Sequence, residues 1–314
     1  MSKFDVVTFG EAMAMFVATE VGDLAAVEHF TRRMAGAETN VAVGLSRLGL
    51  KVGWISRLGD DSFARFIRAT LAREGVDTSC VATDSGFPTG FLLKSRADDG
   101  SDPKVEYFRR GSAASRLSWA DWNAEYALSA RHLHASGVAA AVSASSYDFA
   151  GRVLDEMRRA GRTISFDPNL RPSLWPSREV MVEKLNALAV KANWVLPGLA
   201  EGRILTGEGR PADIAAFYLD RGVDVVVIKL GPEGAYWRNA ATEAVVPAIP
   251  VAKVVDTVGA GDGFAAGFIS ALLEGEPVDA AVARGNRVGA FAIQVIGDMD
   301  GLPTRDQLGL SAIA

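Results

Sequence analysis

The chain has 314 residues, 49% of them hydrophobic and 23% charged, room for two average domains or one large α/β unit with a substantial core. Its 33 basic and 38 acidic residues leave a net charge of -5, which argues against bulk binding to nucleic acid or an anionic membrane and leaves local basic pockets open. One cysteine, Cys80, excludes an internal disulfide framework and a cysteine-based metal cluster and suits a reducing cytoplasm.

Asp5 and Glu11 interrupt what would have to be an apolar signal core, and no run of about 18 apolar residues offers a spanning helix. In chain order, "FDVVTFG" (4–10) predicts a first strand ending in glycine. "AETNVAVGLSRLGL" (37–50) places Val41, Leu45 and Leu48 at helical spacing and closes with Gly49. "KVGWISRLG" (51–59) predicts a strand, and "SFARFIRATLAREG" (62–75) an amphipathic helix with Ser62 as N-cap and Gly75 at its end. The pattern then changes. "TGFLLKSR" (89–96) and "KVEYFRRG" (104–111) predict two strands joined by the polar link "ADDGSDP", with no helix beside them. With short apolar runs between Gly10 and Gly36 they predict a small sheet standing off the main body, from segments at about 11–35 and 88–111.

Strand–helix alternation returns with strands at 132–136, 163–167, 194–197 and 224–231. Helices are predicted at 146–161, 178–191, 199–206, 211–221, 260–274 and 277–296, and "ASGVAAAVSASS" (135–146) as a loop of close backbone approach. In "HLH" (132–134) both imidazoles share one face of a strand, but no third ligand accompanies them, so a half-buried strand is expected rather than a zinc site. The whole predicts one α/β domain over 1–314, a mostly parallel sheet with helices on both faces, plus a β-rich lid.

"VVDTVGAGDGFAAGF" (254–268) reads as a strand running through a glycine-rich turn into a helix. Amides from Gly259 to Gly263 can form an anion-binding concavity at that helix start, yet Asp262 sits among them. Asp262 either caps the helix or serves as a general base. In the second case the amides offset charge on a transferring phosphoryl group while the carboxylate, kept ionised by the helix dipole, takes a proton from the attacking hydroxyl. A dinucleotide fingerprint is not completed, because Phe264 stands at its sixth position and "GEAMAM" follows the first strand, which argues against a nicotinamide dehydrogenase.

"DTVGAGDGFAAGF" resembles the signature of the ribokinase-like (PfkB-type) carbohydrate kinases, and "AGAETNVAVGLSRLG" (35–49) resembles their second signature. "GDD" (59–61), "FDPNLRPSLW" (166–175), "VIKLGPEGAYW" (227–237) and "GDMDGLPTRDQL" (297–308) continue the resemblance in family order. It implies a three-layer α/β/α domain with a β-sheet lid, using ATP and Mg2+. It makes Asp262 the catalytic base, with Gly259, Ala260 and Gly261 as the anion hole. It places Lys229, Gly231 and Gly234 beside the nucleotide, and Asn286 near the adenine. The family's N-x-x-E, tied to Mg2+, is matched by "GLAE" (198–201), which keeps Glu201 but replaces Asn with Gly198. A monovalent-cation site occurs in some relatives near positions matching Asp256; the sequence does not establish one here.

Many members place an Asp after the first strand to bind sugar hydroxyls, and Met15 falls there instead. Arg109, in "EYFRRG", and Arg171, in "DPNLRP", are suited to binding a carboxylate. The alternatives are a solvated lid edge for Arg109 and Arg110, and a loop cap beside Asp167 for Arg171. The arrangement is similar to the subfamily acting on 2-keto-3-deoxygluconate, in which positions matching Gly36, Tyr107, Arg109, Arg171 and Asp262 contact the substrate; Asn40 is a further candidate. A lid tyrosine common there falls at Leu92, which keeps a kinase of a neutral or other modified sugar open. A non-catalytic sugar sensor is the rival of another class. The lid's open strand edges and the resemblance both suggest a homo-oligomer.

Overall fold

A computed structural model describes residues 3–96 and 103–313. The link predicted at 97–103 falls almost wholly outside the described residues. The first half runs β1 (Phe4–Phe9), β2 (Met13–Val21), β3 (Phe30–Ala35), α1 (Ala37–Arg47), β4 (Val52–Gly59), α2 (Ser62–Arg73), β5 (Val81–Asp84), β6 (Phe91–Arg96) and β7 (Val105–Phe108). There follow α3 (Ala124–Leu128), β8 (Ala130–Ser136), α4 (Gly137–Ala141), α5 (Ala144–Arg159), β9 (Thr163–Asp167), α6 (Arg178–Ala189) and β10 (Trp194–Val195). The chain continues through α7 (Leu199–Thr206), α8 (Pro211–Leu219), β11 (Val225–Lys229), β12 (Ala235–Asn239), β13 (Glu243–Val246), α9 (Ala260–Leu273) and α10 (Val278–Ala292).

Strands such as "VVVIK" of β11 are apolar almost throughout because both their faces are covered. The main sheet has the order β13-β12-β11-β10-β9-β8-β1-β4-β5, in which β12 runs antiparallel to both β11 and β13 while the other pairs are parallel. Alternate side chains divide between two cores. Val6, Val52, Trp54 and Val227 pack with α1, α2, α9 and α10, while Val7, Ile55, Leu133 and Ile228 pack with α5, α6 and α8 on the other face. The fold is therefore the expected one: a mostly parallel sheet between helices, with a separate four-stranded sheet in the order β3-β2-β6-β7. In that lid, β2 runs parallel to β6, and Met13, Met15, Val17, Ala35 and Leu92 form its small core. Among the described residues no helix is long and apolar enough to cross a membrane.

Several local expectations change. Asp61, not Ser62, caps α2: its carboxylate accepts the Ala64 amide at 2.8 Å and also the Thr89 amide at 2.8 Å, tying the helix to the approach of β6. The predicted loop at 135–146 contains α4 and the start of α5, because its alanines favour helix and Ser136 and Ser143 supply the caps. Its close approach is real, since a Cβ on Gly137 would lie 2.0 Å from the Pro168 carbonyl oxygen. Residues 254–258 form no strand; the Val255 amide donates to the carbonyl of Ile293 at the end of α10 rather than to a sheet neighbour. The histidines of β8 are fully rather than half buried. Both bond the Ser165 hydroxyl, and burial holds both far below the ordinary imidazole range, so they are neutral members of the core. No group of three or more potential metal ligands occurs among the described residues.

Candidate active site

The last residues of β9 and β11 are Asp167 and Lys229, and both face a cleft of about 370 Å³. The start of α9 forms one wall, through Gly259, Gly261 and Asp262, and α1 adds Gly36 and Asn40 at its own start. The lid supplies Met13, Ala35, Leu92, Tyr107 and Arg109, the first turn of α7 adds Glu201, and loops add Glu11, Asn169, Arg171 and Asp298. Ligands of parallel sheets bind at such carboxyl ends, where turns lead into helices.

Gly259 precedes α9 in a left-handed conformation, φ 83°. A Cβ there would stand 2.2 Å from the carbonyl oxygen of Asp298, so this close approach requires glycine. The Ala260 amide reaches the Thr257 carbonyl at 3.3 Å, while those of Gly261 and Asp262 have no acceptor among the described residues. Gly36 plays the matching part before α1, where a Cβ would lie 2.7 Å from the Glu11 carbonyl oxygen.

The Asp262 carboxylate accepts a hydrogen bond from Asn40 Nδ2 at 2.8 Å. Burial pushes its pKa up to about 7, against the lowering by Asn40, with Asp167 and Asp298 adding to the rise and Lys229 opposing it. The expectation that the helix dipole keeps this group ionised is corrected to a carboxyl whose pKa desolvation raises toward neutrality. Lys229 donates to Asp167 at 2.6 Å, and its Nζ would lie 3.4 Å from a Cβ on Gly261. Burial works against its charge, but the carboxylates of Asp167, Glu201 and Asp262 hold its pKa above the usual lysine range.

Arg109 is buried and doubly bonded to Glu11, at 2.7 and 2.6 Å, and Ser112 donates to the other Glu11 oxygen. Arg171 is exposed and donates to its own neighbour's carbonyl, Leu170. Tyr107 is half exposed and lies under the Arg109 guanidinium, 5.9 Å away. Met15 lies in the lid core with Leu92, while Glu11 and Met13 reach the cleft. Glu201 accepts the amides of Gly198 and Leu170, both at 2.7 Å, and so closes the start of α7 and holds the Arg171 loop.

Three expected nucleotide residues lie outside this cleft. Gly231 and Gly234 shape the turn leaving β11, with φ 61° and 102°. Asn286, on α10, donates to the carbonyls of Val246 and Pro247 at 3.1 and 3.0 Å, securing the chain after β13. Sequence reasoning missed Glu11, Asp167 as the partner of Lys229, Asn169 and Asp298. Asn169 carries a signal of its own, since it is the one non-glycine described residue with positive φ, 39°.

The profile of the pfkB family carbohydrate kinase matches residues 3–305. The chain belongs to that family. A 2-dehydro-3-deoxygluconokinase of Bacillus subtilis is 52% identical over 98% of this chain and 94% of its own. A PfkB protein from Polaromonas sp. superposes with a TM-score of 0.91 at 52% identity, covering 98% of this chain and all of the other. An E. coli ribokinase II-like protein in complex with ATP and Mg2+ gives 0.90 at 25% identity, covering 98% of each chain. The protein is a carbohydrate kinase, and the kinases of its family use ATP with Mg2+.

The donor set fits such a metal only indirectly. Both oxygens of Glu201 hold amides and Asp167 holds Lys229. The carboxylates can order the water shell of a Mg2+ held by phosphates, without forming an all-protein cage.

Proposed function

We propose that this kinase phosphorylates the 6-hydroxyl of 2-keto-3-deoxygluconate at the expense of ATP, giving 2-keto-3-deoxy-6-phosphogluconate, with Asp262 as general base. One observation carries the reading: a half-buried carboxyl whose pKa desolvation pushes up to about 7 stands beside amides with no acceptor among the described residues, at the end of a cleft that also holds two arginines. A base with a pKa near the operating pH combines an available proton acceptor with useful basicity. Asn40 orients it, and the Asn40 Oδ1, buried and without a partner among the described residues, is left to accept from the sugar. Gly259, Ala260 and Gly261 would cradle the migrating phosphoryl group, with Lys229 beside it. When bound, Mg2+ would bridge and neutralise the nucleotide phosphates. Gly231, Gly234 and Asn286 would act through the shape of the nucleotide side.

The two arginines differ in what they have to offer. Arg109 is already neutralised by Glu11, so it presents a polar pair, and with Tyr107 it would read hydroxyl and keto oxygens. Arg171 has no carboxylate partner among the described residues, which makes it the anchor for the substrate carboxylate. The name carried by the Bacillus subtilis relative supports a sugar acid of this kind. Leu92 in the cleft keeps one competing reading, a kinase of a neutral or other modified sugar. The deciding experiment is a coupled ATPase assay across neutral sugars and sugar acids. The acid should lead in kcat/KM by at least about tenfold, and a neutral sugar in that place would overturn the assignment. A sugar sensor would bind without turnover. We place the enzyme in the cytoplasm, where ATP is supplied, as a homo-oligomer joined through the lid edges, which light scattering would test.

A further inference from the structure

Asp256 opens the glycine-rich turn, and its two oxygens face different partners. Oδ1 accepts the Val258 amide at 3.1 Å and so folds the turn toward Gly259. Oδ2 accepts from the ammonium of Lys94 at 2.6 Å. Lys94 belongs to β6 of the lid, and its Nζ also lies 3.4 Å from Asp298, the residue whose carbonyl stands against Gly259. Lys94, Asp256 and Asp298 are 2%, 7% and 8% exposed. Lysine is almost never so buried unless paired, and here one nitrogen joins the lid, the anion-hole turn and the segment after α10. Burial holds the Asp298 carboxyl above its ordinary range, against the lowering by Lys94.

The family resemblance implies that a monovalent cation can lie near the position of Asp256, and the residues present here do not fit one. The carboxylate that would bind it already accepts from an ammonium on one oxygen and an amide on the other. A second monocation would meet the charge of Lys94 at close range in a buried site. We propose that Lys94 is the built-in cation of this turn, a positioning residue that balances Asp256, holds the anion hole in shape and fastens the lid strand to it, so that the kinase works without a monovalent cation. This goes beyond the choice of sugar and stands whichever acid is the substrate.

The test compares potassium chloride with tetramethylammonium chloride at equal ionic strength. Wild-type turnover with ATP and Mg2+ should be the same within about twofold, and the melting temperature of the unliganded protein should not distinguish the two salts. Lys94→Met should lose about tenfold or more in turnover, as expected for a displaced catalytic turn. It should then regain several-fold on adding potassium, with a potassium-specific rise in melting temperature that a merely structural lysine would not produce. The charge-balanced double variant Lys94→Met with Asp256→Asn should lose that response, and it serves if the single variant does not fold. Wild-type dependence on potassium in turnover or melting would overturn the proposal. So would a folded Lys94→Met that ignores potassium in both measurements, or a double variant that responds to it. The melting measurements need no sugar, so an error in the substrate assignment leaves them unaffected.

Discussion

At the start of α9 the charged group is half-buried and only lightly compensated: Asp262 accepts one side-chain bond from Asn40 and sits near Asp167 and Asp298. Across the cleft, on the lid, Arg109 is more deeply buried and fully engaged by Glu11, while Tyr107 beside it is half exposed. The floor thus leaves its reactive group poised between protonation states, backed by two large cores. The lid has only a small core around Met13, Met15 and Leu92, and a neutralised charge pair at its inner face. The contrast separates the two tasks. Chemistry needs an under-compensated acid in a rigid setting, whereas discrimination among sugars needs polar groups on an element that can close over the substrate.

Substitutions can break this contrast at graded strengths. Asp262→Asn should lower kcat by about 10²–10⁴-fold, the scale of a general base, while calorimetry still detects ATP; near wild-type turnover would remove the base from the floor. Arg171→Ala should cost a sugar-acid substrate about 10–100-fold in kcat/KM, as for a hydrogen bond to a charged group, with little change for a neutral sugar. Equal losses on both would reassign that arginine to loop structure.

Asn40→Ala removes the bond that lowers the Asp262 pKa, so the acid limb of kcat/KM, expected near pH 7 in the wild type, should move to higher pH. A limb that stays in place would mean that Asn40 only fills space. The smallest effect concerns stability. Glu38, buried beneath the floor, is pushed up to about 8 by burial, with Asp262 adding to the rise and Arg109 opposing it. With Asp262 at about 7, the folded protein holds protons that the unfolded chain has released. The stability this contributes is present below the ordinary carboxylate range and is lost as pH rises through about 7 and 8. Glu38→Gln should therefore make the fall in melting temperature across that window shallower; an unchanged slope would mean that Glu38 does not titrate there.

Much of this architecture was legible in the chain. Alternating apolar strands and amphipathic helices marked the sheet, and the helix-free stretch around 89–111 marked the lid. Glycines with an acid in "GAGDGF" marked the turn. What escaped were pairings between distant segments: Asn40 with Asp262 across 222 positions, Lys94 with Asp256 across 162, and Glu11 with Arg109 across 98. No local period or spacing records such a contact. The direction of the Asp262 pKa escaped for a related reason, because a helix dipole is visible in one segment and burial is not.

Sequence alone determined which backbone is permitted: glycine where the turn before α9 needs positive φ, and apolar runs where strands are covered on both faces. It also determined the kinds of group on offer, acid, amide and guanidinium. Tertiary structure decided their chemical state. Whether a carboxyl is ionised, or an arginine is free to bind an acid, depends on desolvation and on the charges brought within a few ångströms, and both exist only once the lid, α1 and α9 have closed around the same cleft.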